Sequence, residues 1–303
     1  LIEGEGIEVL HLGSNGTYIL HYLKSSKILK VTTQAGSAPD FKPVAFFDAG
    51  LRFHPKSILK AWYRKYVRLN YRSSDLVFSP GDAAREATIR TYGVKPERAM
   101  VMRVASPERV VDSERGLIKR EFGIGESEKV ILTVGRITKA KGVEDIGEVA
   151  KILASRGKNY RFLFAGYERD EAYGRKIREK YGEVVTFIGH RRDISNAYAD
   201  ADLMAHLSHR EGTPLGVIEA LEFGNPCVAW DLPGVSADVD DGVTGRTVQF
   251  GDYAAAADAI EEILEQPSVW EMFSVGARKR FSRFSIDDYA GRLLAAYEDR
   301  QRA

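Results

Sequence analysis

The sequence predicts an α/β protein made of two doubly wound domains in tandem. Three observations predict it. Short apolar runs alternate with amphipathic helical patterns along almost the whole chain, which is how successive βαβ units and parallel sheets read. The runs stop at glycines, as the strand over 129–134 does at Gly135 and the helix over 215–223 at Gly224. The length of 303 residues, 44% of them hydrophobic, suits two domains of ordinary size better than one.

The second half carries the clearer series. Strands are expected over 129–134, 162–165, 184–188, 203–207 and 226–230, the last closing the series. Helices fall between them over 143–153, 170–181, 193–199 and 215–223. Five strands so connected make a doubly wound domain over about 115–265. The first half is sparser. It offers strands over 7–12, 28–32, 44–47, 76–79 and 100–104, with helices over 56–70 and 82–92. Segment 107–125, charged and ending Phe122-Gly123-Ile124-Gly125, reads as the connection. The N-terminal domain is therefore set at 1–110 and the C-terminal domain at 111–285. Two such domains put a cleft between the carboxyl ends of their sheets, where ligands bind. Because the chain opens on Leu1 and not on Met, this reading allows for a first domain incomplete at its start.

Composition excludes several classes. Lys+Arg 44 against Asp+Glu 43 gives a net charge of +1, so no global charge argument points to nucleic acid. Cys227 is the single cysteine, which leaves no intramolecular disulfide and no cysteine-based zinc site. It stands in the apolar run Cys227-Val228-Ala229-Trp230 and reads as a small core residue. No run approaches the roughly 18–20 apolar residues of a membrane-spanning helix, and no signal peptide is visible. A cytoplasmic protein is expected.

The strongest constellation runs from His206 to Ala220. Glu211 and Glu219 stand eight positions apart, the first in a loop after a strand, the second about a turn into a helix. Gly212 and Gly216 between them let backbone approach a ligand, and the helix N-terminus has free N–H groups. A diphosphate suits that terminus and a sugar hydroxyl suits the loop carboxylate. The residues read as a phosphate-plus-polyol pocket; the plain alternative is a loop surface charge and a solvated helix face.

With its Glu-seven residues-Glu spacing, the segment from Glu211 to Glu219 resembles the signature of the large retaining family-4 glycosyltransferases (glycosyl transferases group 1). Flanking elements agree in order and distance. Val134-Gly135-Arg136 with Lys141-Gly142 looks like the family's "VGR…KG" element. Phe164-Ala165-Gly166 and Phe187-Ile188-Gly189 look like its strand ends. Glu219-Ala220-Leu221, Gly224-Asn225-Pro226 and Gly234 with Asp241-Gly242-Val243-Thr244-Gly245 complete the run. The likeness covers about residues 100–300, and it rests on several weak motifs in the right order.

The resemblance implies a GT-B fold: two Rossmann-like doubly wound domains facing a central cleft, with a terminal helix, here 286–303, packing back on the first domain. It implies a retaining glycosyltransferase that moves a sugar from a UDP- or GDP-sugar to an acceptor hydroxyl on a glycan or a lipid-linked molecule, with no cofactor required. Arg136 and Lys141 would bind the donor diphosphate and stabilise its charge as the glycosyl bond breaks. Glu211 would hold the transferred sugar and Glu219 the ribose. Gly135 would lie beside the diphosphate, and the backbone over Gly212, Thr213, Pro214 and Leu215, through the N–H groups of its non-proline residues, would touch sugar and phosphate. The base would sit near Gly189, His190 and Arg191. Retention with attack from the leaving-group face needs no covalent nucleophile, so the lack of a glycosidase-like carboxylate pair is no objection.

The match weakens in the first domain. Gly13-Ser14-Asn15-Gly16 is either the family's glycine-rich donor loop or a later turn, so Gly13, Asn15 and Gly16 are cleft candidates. Asp48 stands where the family often has a histidine before glycine, and Ala105-Ser106-Pro107-Glu108 replaces its "NG-hydrophobe-D" segment. Asp238-Val239-Asp240 matches the metal-holding triplet of the other major glycosyltransferase fold, but its place before Gly242 reads as a turn. His190, His206 and His209 lack paired ligand spacing, so no metal is expected, and His206 reads as a structural histidine closing an apolar strand. Six basic residues between Lys56 and Arg72 are interleaved with Trp62, Tyr63, Tyr66 and Tyr71. That run suits either an anionic membrane surface at the inner face or an ordinary amphipathic helix with its aromatics in the core; RNA lacks a recognition module. The alternative functions are a non-catalytic nucleotide-sugar-binding subunit, told apart by binding without turnover, and a GT-B epimerase, for which no convincing acid/base set is visible.

Overall fold

Two parallel sheets form, one in each of two compact units: Leu1–Val104 with Asp287–Ala303, and Ala105–Ile286. The computed structural model describes residues 9–13, 29–33, 68–69, 71–106, 113–168 and 170–302.

In the first unit β1 (Val9–Gly13), β2 (Leu29–Thr33), β3 (Leu76–Ser79) and β4 (Ala99–Val101) pair in that order, all parallel. Successive side chains of a strand point to opposite faces, so β3 serves two cores. Leu76 and Phe78 meet Leu29, Val31 and Met102, and this face is covered by the C-terminal helix (Ile286–Arg302). That helix contributes Tyr289, Leu293, Ala296 and Tyr297, one face at helical spacing. His11 of β1 lies between the hydroxyls of Thr33 and Tyr297. On the opposite face Val77 packs with Tyr71, Val94 and Ala99 beside α1 (Asp82–Tyr92).

The described end of the basic run is part of this second core. Tyr71 is buried and stacks on Tyr92 at 4.6 Å, while Arg68 Nη2 and Arg72 Nε donate to the carbonyls of Thr91 and Gly93 at 2.9 and 3.3 Å. Those carbonyls end α1, where cations are stabilising. The rest of the run, and the strand expected over 44–47, lie outside the described residues.

The second unit opens with a short helix, α2 (Leu117–Glu121), inside the segment read as a connection. Its Ile118 is fully buried, and its N-terminus has no side-chain cap of its own. The cap comes from Asp200, whose buried carboxylate accepts from the N–H of Gly116, of Ile118 at 2.9 Å and of Lys119 at 3.0 Å. Asp200→Ala strands these donors and is expected to lower stability by about 2 kcal/mol in urea unfolding.

The sheet then follows with β5 (Lys129–Val134), β6 (Tyr160–Ala165), β7 (Val185–Gly189), β8 (Leu203–His206), β9 (Cys227–Trp230) and β10 (Gly245–Val248). Its order is β10-β9-β8-β5-β6-β7, all parallel. The chain winds outward from β5 to β7, returns to the other side of β5, and winds outward again. That is the doubly wound order with its switch point between β5 and β8. The helices are α3 (Val143–Ser155), α4 (Glu171–Tyr181), α5 (Ile194–Asp200), α6 (Leu215–Phe223), α7 (Tyr253–Glu265) and α8 (Pro267–Phe281). Val143, Ile146, Val149, Ala150 and Leu153 form the apolar stripe of α3, packed on Ile131, Phe162 and Phe164. Cys227 is buried, and burial pushes its thiol pKa up.

β10 corrects the sequence reading, which closes the series at residue 230. It is a four-residue strand, half polar, paired with β9 at the edge of the sheet, and so carries no periodic signal. Gly245 makes it possible: at φ +153 its Cα lies so near β9 that a Cβ would stand 1.8 Å from the Cys227 carbonyl oxygen. No helix among the described residues is long and apolar enough to cross a membrane.

Candidate active site

Ligands of doubly wound sheets bind outside the carboxyl ends of the strands at the switch point. Here that place is built by the loops after β5 and β8. β5 runs on past Val134, with the Gly135 N–H donating to the Ala165 carbonyl at 2.9 Å and that of Ile137 to Tyr167 at 3.0 Å. Gly166 permits this approach, since a Cβ there would lie 1.7 Å from the Gly135 carbonyl oxygen. A 3-10 turn over Lys139–Lys141 then leads to Gly142, at φ +62, which starts α3. A Cβ on Gly142 would stand 1.8 Å from the carbonyl oxygen of Leu207 in the loop after β8. The His209 N–H donates to the Ala140 carbonyl at 3.0 Å, a second stitch between the loops. His209 Nε2 in turn meets Asp145 Oδ2 at 3.0 Å, and Trp230 Nε1 donates to the same oxygen at 2.9 Å.

This stitching sets Lys141 against Glu211. Lys141 Nζ donates to Glu211 Oε1 at 2.5 Å, with the two side chains 22% and 8% exposed. His206, the last residue of β8, points Nε2 at the same oxygen from 3.5 Å and is 4% exposed. Burial, which disfavours the imidazolium, lowers its pKa to about 4; Glu211 opposes that and Lys141 adds to it. The ring is neutral at physiological pH.

Glu219 lies about a turn into α6, where its Oε2 accepts from the Tyr198 hydroxyl at 2.9 Å; the same hydroxyl is 3.2 Å from the Gly216 carbonyl. Gly216 lets α6 sit close over the strand ends, for a Cβ there would meet Met204 at 3.2 Å and Val134 at 3.7 Å. Pro214 caps α6 without a side-chain bond, its carbonyl accepting from Val217 and Ile218. Gly212 and Thr213 are half-buried, Pro214 buried and Leu215 exposed.

At the end of β7, Gly189 has φ +72 and its carbonyl accepts from Gly166 at 2.8 Å. His190 stands edge-on to the exposed Tyr167, ring centres 5.8 Å apart. Arg191 is held within the protein. Its guanidinium donates to both oxygens of Glu121 at 2.8 Å and to both of Asp193 at 3.0 and 2.8 Å, and these carboxylates raise its pKa. Its side chain is thus engaged by Glu121 and Asp193. Arg136 is exposed just past β5.

The structure brings Lys141 and Glu211 into contact and sets Glu219, on α6, against the Tyr198 hydroxyl in the same unit. Gly13 ends β1 in the other unit, while Asn15, Gly16 and Asp48 lie outside the described residues. Sequence reasoning missed Tyr198, Tyr167 and the approach of His206 to Glu211; no local pattern marks them. Asp238 and Asp240 close on Arg280, at 3.9 and 3.2 Å, in the turn that leads to β10. Among the described residues no group of three or more His, Cys, Asp or Glu is placed to hold a metal ion.

Comparison with known proteins bears on the family and the fold. Alpha-D-kanosaminyltransferase of Streptomyces kanamyceticus is 25% identical over 239 residues, 75% of this chain and 61% of that protein. N-acetyl-alpha-D-glucosaminyl L-malate synthase of Bacillus anthracis is 26% identical over 184 residues, 60% of this chain and 48% of that protein. The chain thus spans about half the length of the curated relatives it matches. Among solved structures, Anabaena HepE in complex with UDP superposes with a TM-score of 0.76 at 17% identity, over 96% of this chain and 79% of that one. A glycosyltransferase from Rickettsia africae does so at 0.74 and 17%, over 99% and 78%. At these identities the likeness shows the fold, which is GT-B with two Rossmann-like domains. Residues 114–280, more than half of the chain and spanning the whole of the site built on β5 to α6, match the family model for glycosyl transferases group 1, and the protein belongs to that family.

Proposed function

We propose that the protein transfers a sugar from a UDP- or GDP-sugar to an acceptor hydroxyl, with retention of configuration and without a metal ion. The observation that carries this reading is the contact of Lys141 with Glu211 at the switch point of the second sheet. A departing diphosphate needs fixed cations where its charge develops, and Lys141 and the exposed Arg136 both follow β5. Glu211, beside Lys141, holds hydroxyls of the transferred sugar. Glu219, oriented by Tyr198, holds the ribose. Backbone N–H groups of Gly212 and Thr213, just before α6, face sugar and phosphate; Pro214 has none, and that of Leu215 donates to the Thr213 carbonyl at 3.0 Å. The base lies along the backbone of Gly189, His190 and Arg191.

The acceptor hydroxyl attacks the anomeric carbon from the face that the diphosphate leaves. Its proton passes to the departing phosphate oxygen, so no side chain forms a covalent intermediate. The relatives' names fit a sugar-transfer reaction, and the bound UDP in Anabaena HepE fits the donor class. The acceptor is a glycan or a lipid-linked molecule. Residues 56–67 of the basic run are the proposed contact with an anionic membrane, tested by co-sedimentation with anionic and neutral vesicles; equal recovery with both rejects it.

The donor reading is tested by thermal unfolding with UDP, GDP, ADP and their sugar conjugates, without metal, for wild type and Glu219→Ala. A ligand at ~100 times its dissociation constant adds about 2.7 kcal/mol, a readily seen shift of the midpoint. One base should stabilise wild type, and the shift should be lost in Glu219→Ala. No shift with any of them would reduce the conclusion to the fold.

A further inference from the structure

Glu211 Oε1 faces two donors and is engaged by one. Lys141 holds it at 2.5 Å; His206 Nε2 points at it from 3.5 Å and, buried, has no hydrogen-bond partner. A buried ring nitrogen left without a partner costs free energy unless another state of the protein uses it. The proposed reaction supplies such a state. Lys141 serves both Glu211 and the diphosphate, so a bound diphosphate draws Lys141 away. The Glu211 carboxylate, 8% exposed, would then be buried without its cation.

On the donor-binding reading above, we propose that His206 is a positioning residue that takes over Glu211 from Lys141 when a nucleotide diphosphate binds. Nε2–H of the neutral imidazole donates to Oε1, which fixes the carboxylate and turns its remaining acceptor sites to the sugar. Two features suit the ring to this. It is rigidly placed, ending a fully buried strand, so only the carboxylate must move to shorten 3.5 Å to a hydrogen bond. It is also neutral, so it holds Glu211 without a positive charge that would compete with Lys141 for the phosphates. Lys141 and Glu211 therefore neutralise each other in the empty site and separate in the filled one.

The test uses the full chain in wild-type, His206→Gln and His206→Leu forms. Gln keeps a donor near the Nε2 position; Leu keeps bulk without one. Titration calorimetry gives affinities for the stabilising nucleoside diphosphate and for its sugar conjugate. The diphosphate should bind His206→Leu about tenfold more weakly than wild type, the scale of one hydrogen bond to a charged group, and His206→Gln within about threefold; the conjugate should follow the same order and lose no less. Unchanged diphosphate binding in His206→Leu overturns the proposal, and so does a loss in His206→Gln as large as that in His206→Leu.

A second measurement does not need the Leu variant to fold. In the 15N-histidine-labelled protein, the His206 Nε2 resonance, assigned by its loss in His206→Gln, should move downfield when UDP or GDP saturates wild type. Saturation without such a shift also overturns the proposal. If wild type binds no nucleotide, it is the donor reading that has failed.

Discussion

Replacing Lys141 with Met should lower kcat/KM by about 10²–10³-fold, with most of the loss in kcat. A cation fixed beside the leaving group is worth most when the glycosyl bond is breaking and the diphosphate carries its fullest charge. The site is partly closed to water, with Lys141 only 22% exposed, and this strengthens the effect. The substitution also leaves Glu211 without its cation, so activity is to be measured well below the variant's thermal midpoint. Lys141→Arg should recover part of kcat, because the charge returns in a differently shaped group. A rise in KM at unchanged kcat would limit Lys141 to holding the ground state. Combining Lys141→Met with Glu211→Gln tests their coupling: the double variant should lose less than the product of the single losses, as expected for partners in contact.

Gly142→Ala should be among the most damaging small substitutions in the second unit, costing about 2–5 kcal/mol. Two effects add. An alanine forced to φ +62 carries strain of about 1–2 kcal/mol. Its Cβ would also stand 1.8 Å from the Leu207 carbonyl oxygen, and relieving such an overlap costs about 1–3 kcal/mol more. The overlap is with backbone, so no side chain can swing aside. Gly157→Ala is the control, with φ +71 and nothing within 4 Å of its Cβ. It carries the strain alone, and the difference between the two in urea unfolding isolates the contact. Gly142→Ala should also weaken nucleotide binding, since the two loops must part there and Lys141 moves away from Glu211. A cost equal to that of Gly157→Ala would mean the loops give way freely.

Much of this architecture is legible in the sequence, for definite reasons. β5, β6, β8 and β9 are buried on both faces and stand out as apolar runs, and α6 ends at Gly224 in the left-handed conformation that a C-cap uses. Gly142 and Gly166 stand in the motif because the backbone comes too close for any side chain. What stayed illegible depends on partners far along the chain. The first turn of α2 takes its cap from Asp200, 82 positions away from Ile118, so the five-residue helix shows no start signal of its own. Arg191 stands in the sequence among the residues expected near the base, and only the fold brings Glu121, 70 positions earlier, onto its guanidinium. His206 ends an apolar strand and is indeed buried, but its distance from Glu211 follows from the path of the loop between them, which residue types do not specify.

The winding of the second sheet also bears on when the site comes into being. β5, β6 and β7 are neighbours both in sequence and in the sheet, each joined to the next by one crossover. β8 instead pairs with β5 across some 70 intervening positions, the same separation as that between Lys141 and Glu211. Contacts of long sequence separation are slow to form, because chain closure must precede the contacts that reward it. A chain holding β5 to β7 alone would carry Arg136 and Lys141 without Glu211 and Glu219, the carboxylates proposed to hold the sugar and the ribose. On the proposed function, selectivity would therefore depend on the long-range docking of β8 and α6. A donor that recognises only the finished site draws the remaining chains toward it by mass action.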